Sequence, residues 1–344
     1  MGHRIDNPIL VKAALKRPVP YTPVWLMRQA GRYLKEYREL RERYTFWELC
    51  KNPELIARIT LLPIRKFNLD GAILFSDLLL PLVELGFEVF MDDEGPKLLT
   101  PLQRPDELER LESRRLLERI GYLKEAVVAL KQELSPKVAL IGFAGAPFTL
   151  ACYLIEGKGG SFLKVKEFMR KQPKVFATLM EKLSEVVLEF LKVQVEAGCD
   201  LVQVFDSWAG VLSPYEYGRY VMPFSRKVLE GVGVPVVHFS TCTAGYVELI
   251  AEAGGEVIGL DWRVDLAQAW QRLGYRKAIQ GNLDPSVLLG PKEVIRRETE
   301  QILSSVRGRP GHIFNLGHGV LPQTPEDNVA YVVDLVHSLT EAKG

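Results

Sequence analysis

Residues 138–143 read VALIGF, and residues 200–205 read DLVQVF. Both are nearly continuous apolar runs without the polar alternation of a half-exposed strand, as expected where both faces of a strand are covered. Small or polar residues follow each run, AGAPFT after the first and DSWAG after the second, and then a helical pattern begins. Outward from this pair the same unit recurs. VWLM (24–27) and GAILFS (71–76) precede it; VPVVHFS (234–240), EVIGLD (256–261), KAIQG (277–281) and HIFNLG (312–317) follow it. Eight strands alternating with helices predict an α/β fold, a single-domain (β/α)8 TIM-type barrel over residues 1–344. An open, doubly wound sheet is the competing arrangement.

The connections are longer in the first half than in the second. The longest carries FEVFMDDEGPKLL (87–99), which reads as an excursion hairpin around Asp93-Glu94-Gly95. It runs on into PDELERLESRRLLERIGYLKEAVVALKQEL (105–134), an amphipathic charged helical stretch with a solvated face. Composition narrows the partners. The chain has 344 residues, 47% hydrophobic and 25% charged, with 44 Lys+Arg against 43 Asp+Glu. That excludes a disordered or collagen-like chain. A net charge of +1 exerts no general pull on nucleic acid or membrane, so an anionic ligand must meet a local patch. Cys50, Cys152, Cys199 and Cys242 lie far apart with no C-x-x-C pair, which predicts reduced thiols in a cytoplasmic protein. No apolar window of about 18 residues suggests a membrane span.

Barrel sites lie at the C-terminal ends of the strands, so the residues after each run carry the functional argument. Arg28 and Arg32 follow the first run, spaced i, i+4, which would bring both guanidinium groups to one face if the segment were helical. Paired arginine forks suit carboxylates or phosphates. From Lys35 onward the competing reading is a solvated helix pairing its cations with Glu36, Glu39 and Glu42. Asp77 follows Ser76 and precedes three leucines; a carboxylate there needs either a structural partner or cationic or N–H-rich substrate atoms. His238 and His318 both end strands. His238 reads as a hydrogen-bonded core residue; His318, between Gly317 and Gly319, is better placed to meet a ligand.

Other chemistries lack their motifs. His238 and Cys242 could begin a zinc site, but further thiols nearby in sequence are absent. GFAGAP does not spell G-x-G-x-x-G, no P-loop or G-x-S-x-G elbow is present, and Gly157-Lys158-Gly159-Gly160-Ser161 reads as a flexible loop.

MRQAGRYLKEYRELR (27–41), FSDLLLP (75–81), GFAGAPFTLACYLIEG (142–157), FDSWAG (205–210), LDW (260–262), QGNLDP (280–285) and FNLGHGVLPQTP (314–325) together resemble the uroporphyrinogen decarboxylase family. The resemblance runs from about residue 5 to the C-terminus, in the family's order. It implies a homodimeric barrel working without metal, nucleotide or prosthetic group. The implied reaction converts the four acetate side chains of uroporphyrinogen III to methyls, giving coproporphyrinogen III and carbon dioxide in tetrapyrrole synthesis. Carried over by motif, Arg28 and Arg32 meet substrate carboxylates, Asp77 faces the pyrrole N–H groups, and Tyr153, Ser207 and His318 are further substrate contacts. Asp77 and Arg28 are the implied catalytic pair, the proton donor being Arg28 or a water it holds.

Two alternatives stand beside this. Zinc- and corrinoid-dependent methyltransferases of the same superfamily need a His-x-Cys pair after the fifth strand and another Cys near the eighth. Here those positions read His238-Phe239-Ser240 and Asn315-Leu316-Gly317-His318. A tetrapyrrole-binding protein without turnover is the other.

Overall fold

The computed structural model describes residues 7–92, 95–102 and 104–341. Its strands are β1 (Gly71–Ile73), β2 (Val89–Asp92), β3 (Gly95–Leu98), β4 (Ala139–Gly145), β5 (Leu201–Asp206), β6 (Val236–Ser240), β7 (Val257–Gly259), β8 (Ala278–Gln280) and β9 (His312–Ile313). Seven of them form one curled parallel sheet in the order β1-β4-β5-β6-β7-β8-β9, with helices in the connections. The expected α/β barrel is the fold, and the open doubly wound alternative falls. β2 and β3 pair antiparallel as the expected hairpin, with Val89 opposite Leu98 and Asp92 opposite Gly95; Asp93 and Glu94 lie outside the described residues.

The first run, VWLM, departs from expectation. It forms no regular strand, only an isolated parallel bridge from Val24 to Phe314. Even so, it joins the two edges of the sheet. Phe314 N–H donates to Pro23 O at 2.9 Å, and Asp70 N–H donates to Val24 O at 2.9 Å. The ladder stops there because side chains take the next backbone groups. Gln29 accepts from Leu26 N–H at 3.0 Å and donates to Gly71 O at 3.0 Å, while Asn315 Oδ1 accepts from Met27 N–H at 3.1 Å. Two amides replace a strand end and free residues 28–34 to turn over the rim.

The stretch 105–134 is likewise not one helix. It breaks into a 3₁₀ turn (Pro105–Arg110) and two helices, Ser113–Leu117 and Gly121–Glu133.

Strand alternation sorts the core into two bodies. Ile141 and Phe143 of β4, Leu201 of β5, Val237 and Phe239 of β6, and Val257 of β7 point into the barrel and pack with Trp25, Met27, Ile73, Ala278 and Ile313. The helix Ile9–Ala14 adds Leu10, Val11, Ala13 and Ala14 to that interior cluster and packs against β4, β8 and β9. The outward set, including Leu140, Val202, Val204, Val236 and Ile258, packs under the surrounding helices. A polar chain crosses the interior: Trp25 Nε1–H donates to Gln280 Oε1 at 2.9 Å, and Gln280 Nε2–H donates to Gln203 Oε1 at 2.9 Å. Among the described residues, no helix is long and apolar enough to cross a membrane.

Candidate active site

A cavity of about 590 Å³ opens at the C-terminal ends of the strands. Phe143, Phe205 and Phe239 are among its apolar lining, each pair of neighbouring rings edge-to-face at 5.7 Å between centroids. Ile73 and Met27 join them. The polar lining includes Arg28, Arg32, Asp77, Tyr153, Ser207 and His318. All six residues singled out from the sequence therefore meet in one space, although they come from five different connections.

Arg28 and Arg32 reach it without the helical spacing considered above. Residues 27–34 are turns and bends, and the helix begins at Lys35. Arg28 itself has φ +59, a left-handed backbone uncommon for a side chain of this size. Two glycines leave room for it. A Cβ on Gly31 would meet Arg28 O at 2.9 Å, and one on Gly319 would meet Arg28 Cδ at 2.4 Å. Arg38 reinforces the turn by donating to the carbonyls of Arg32 and Tyr33 at 2.9 and 2.7 Å. The Arg28 guanidinium makes no ion pair or hydrogen bond to any described residue, so its five donors are available to a ligand.

Asp77 hangs from the turn after β1, where its Oδ1 accepts Leu79 N–H at 2.8 Å. Burial pushes its carboxyl above the ordinary range; the Leu79 N–H and the Arg28 charge pull the other way. Tyr153 lies on the helix Pro147–Glu156, its ring edge-on to Trp208 at 6.2 Å. Burial raises its phenol to about 12, so it stays a hydrogen-bond donor at neutral pH. His318 packs edge-on against Trp262 at 6.3 Å. Burial, then the nearby Arg28 and Arg263 charges, lower its pKa to about 4, leaving a neutral imidazole. Ser207 follows Asp206 directly, and alternation turns it inward as Asp206 turns outward.

Other rim residues serve the scaffold. Asp261 accepts Cys242 N–H at 2.6 Å, Arg263 N–H at 2.9 Å and Arg263 Nη1–H at 3.2 Å. Asn282 holds the carbonyls of Asp261 and Val264 at 2.8 and 2.7 Å. His238 is a core residue, as its sequence context suggested: fully buried outside the barrel, with Nδ1 3.1 Å from Ile250 O and Nε2 3.6 Å from Asp206. Cys242, weighed with it as a zinc pair, is exposed on a rim loop, away from the helix layer that encloses His238.

Sequence reasoning missed part of the wall. Arg41, which the competing reading put on a solvated helix, lines the cavity beside Tyr37 and Phe46, as do Phe90, Met91 and Asp92 of β2. A signal for the first two was present: Tyr37 and Arg41 stand at i, i+4 on the helix Lys35–Arg43. Lys35 does lie on the solvated side, 3.8 Å from Glu39. Nothing in the local sequence announces that the hairpin folds over the barrel mouth.

The model of the family "Uroporphyrinogen decarboxylase (URO-D)" matches residues 6–339. A uroporphyrinogen decarboxylase of Carboxydothermus hydrogenoformans is 48% identical over 97% of this chain and 97% of its own. Another, of Sorangium cellulosum, is 49% identical over 96% of both. Among solved structures, a methyltransferase from Methanosarcina mazei superposes with a TM-score of 0.82 at 22% identity, covering 96% of this chain and 97% of that one, which speaks to the fold alone. With a family model spanning nearly the whole sequence and relatives near half identity, the chain belongs to the uroporphyrinogen decarboxylase family.

Proposed function

We propose that this chain is a carboxy-lyase that removes carbon dioxide from the four acetate side chains of uroporphyrinogen III, yielding coproporphyrinogen III for tetrapyrrole and heme synthesis. The observation that carries the reading is Asp77, a carboxylate anchored by one backbone N–H and facing an apolar-floored cavity that Arg28, Arg32 and Arg41 also line. The macrocycle presents a ring of pyrrole N–H groups at its centre and eight carboxylates at its edge. One anion at the centre and cations at the wall complement that pattern.

The chemistry follows from charge. A proton added to a pyrrole carbon beside the acetate makes the ring an iminium-like cation. The C–C bond to the carboxylate then breaks, carbon dioxide leaves, and the electron pair flows into the ring. The resulting exocyclic carbon takes a proton to become methyl, and the ring carbon gives up the proton it first accepted, which restores the neutral aromatic pyrrole. Asp77, fixed by its backbone N–H on the wall of an apolar-floored cavity, stabilises the cationic ring and accepts its N–H hydrogen bonds. Arg28 and Arg32 hold carboxylates by charge-assisted hydrogen bonds, and Tyr153, Ser207 and neutral His318 add donors or acceptors without adding charge. The proton donor is Arg28 or a water it holds; the very high intrinsic pKa of a guanidinium makes it a poor acid unless strongly perturbed. No cofactor enters this scheme. One barrel domain working as a cytoplasmic homodimer completes the reading, on the strength of the family.

Incubating the protein with uroporphyrinogen under reducing conditions, oxidising, and counting carboxylates by mass tests it. Conversion of octa- to tetracarboxylate is expected, undiminished by chelator. Unchanged substrate, or chelator-sensitive turnover restored by zinc, would favour the binding protein or the methyltransferase respectively.

A further inference from the structure

Tyr37 lines the cavity but has no part in the scheme above. Its side chain is held firmly: the residue is only 5% exposed, and its ring packs edge-on against Phe75 with centroids 5.6 Å apart. Its hydroxyl makes no hydrogen bond to any described residue. The hydroxyl is therefore a held donor that opens on the cavity, free to meet a ligand there.

Arg41 lies one helical turn further along the same helix, so the two side chains leave one face together. The charges of Arg41, Arg32 and Asp77 all act on the phenol. Burial raises the phenol to about 12, so at neutral pH it carries its proton and donates.

We propose that Tyr37 is a further substrate-contacting residue, its hydroxyl donating to a substrate carboxylate held by Arg41 along one face of the helix Lys35–Arg43. The assignment rests on the decarboxylase reading. A carboxylate has lone pairs for both a guanidinium and a phenol. A neutral donor also tightens the grip without another cation beside Asp77, which would blunt the anion the chemistry requires.

Tyr37→Phe keeps the ring against Phe75 and removes only the hydroxyl. Losing a hydrogen bond to a charged group should raise KM for uroporphyrinogen roughly tenfold to a hundredfold, with a much smaller fall in kcat and an unchanged melting temperature. In an Arg41→Gln background the same change should raise KM far less, because both groups hold one carboxylate. A wild-type KM, a loss confined to kcat, or fully additive effects in the double variant would each overturn the assignment while leaving the decarboxylase reading intact. A wild-type protein that turns over no uroporphyrinogen would instead overturn that reading, and the assignment with it.

Discussion

Of two aspartates on the same barrel, one ends a strand and the other follows one, and each has a histidine for company. Asp77 follows β1 and looks across the cavity mouth that His318 also lines. Asp206 ends β5 and faces His238 of β6 at 3.6 Å, with both residues fully buried under the helices. By residue type the two sets are alike; by direction they are opposites. Asp206 occupies an outward position of its strand, so the neighbouring Ser207 is the residue that reaches the cavity. For Asp206, position within the pleat turns the carboxylate to the helices; Asp77, beyond the end of β1, is aimed at the cavity by its turn.

The comparison predicts opposite failures. Asp77→Asn should lower kcat about 100- to 1,000-fold, because one preorganised electrostatic group is lost while shape is kept. Its melting temperature should stay near that of the wild type. In the wild type, turnover should decline on acidification through a pH above the ordinary carboxylate range, since burial raises the Asp77 carboxyl and its protonation removes the anion. Asp206→Ala should do the reverse. Opening a void under the helices should cost about 2–4 kcal/mol in urea unfolding, with kcat per folded molecule little changed. An Asp206→Ala protein that is stable but inactive would erase the distinction.

Two smaller effects sharpen it. Gly319→Ala would set a Cβ 2.4 Å from Arg28 Cδ, so Arg28 must move. A displacement of that size should lower turnover roughly ten- to a hundredfold with the fold intact. His312, enclosed between barrel and helices with Nε2 3.0 Å from Gly281 O, has its pKa lowered by burial to about 4. As pH falls below about 6.5 the unfolded chain takes up that proton before the folded one does, so stability declines between pH 6.5 and about 4. The loss should be on the order of 3 kcal/mol, and His312→Gln should flatten the slope measured by urea titration.

Much of this was legible in the sequence, for identifiable reasons. Seven of the eight apolar runs became strands of one sheet because burial on both faces writes itself as an uninterrupted run. The eighth, VWLM, was legible as a barrel segment but not as a bridge, since the amides of Gln29 and Asn315 that replace its ladder come from three residues on and from the far end of the chain. Among site residues, Arg28, Asp77 and His318 were visible because strand ends place them, whereas Ser207 and Tyr153 came only with the family resemblance. Arg41 and Tyr37 were not: they enter from a helix, and the charge run around them reads equally well as a solvated face. The hairpin's share of the wall, with Phe90 and Met91, depends on tertiary packing that no local pattern encodes.

The central claim is that the charge of Asp77, and not only its shape, carries the reaction. Asp77→Glu keeps the charge and moves it by one methylene; Asp77→Asn keeps the shape and removes the charge. Single-turnover decarboxylation by both variants, with melting temperatures measured alongside, tests the claim directly. The account predicts that Glu retains clearly more activity than Asn while both remain folded. An Asn variant that is folded and as active as wild type would contradict it.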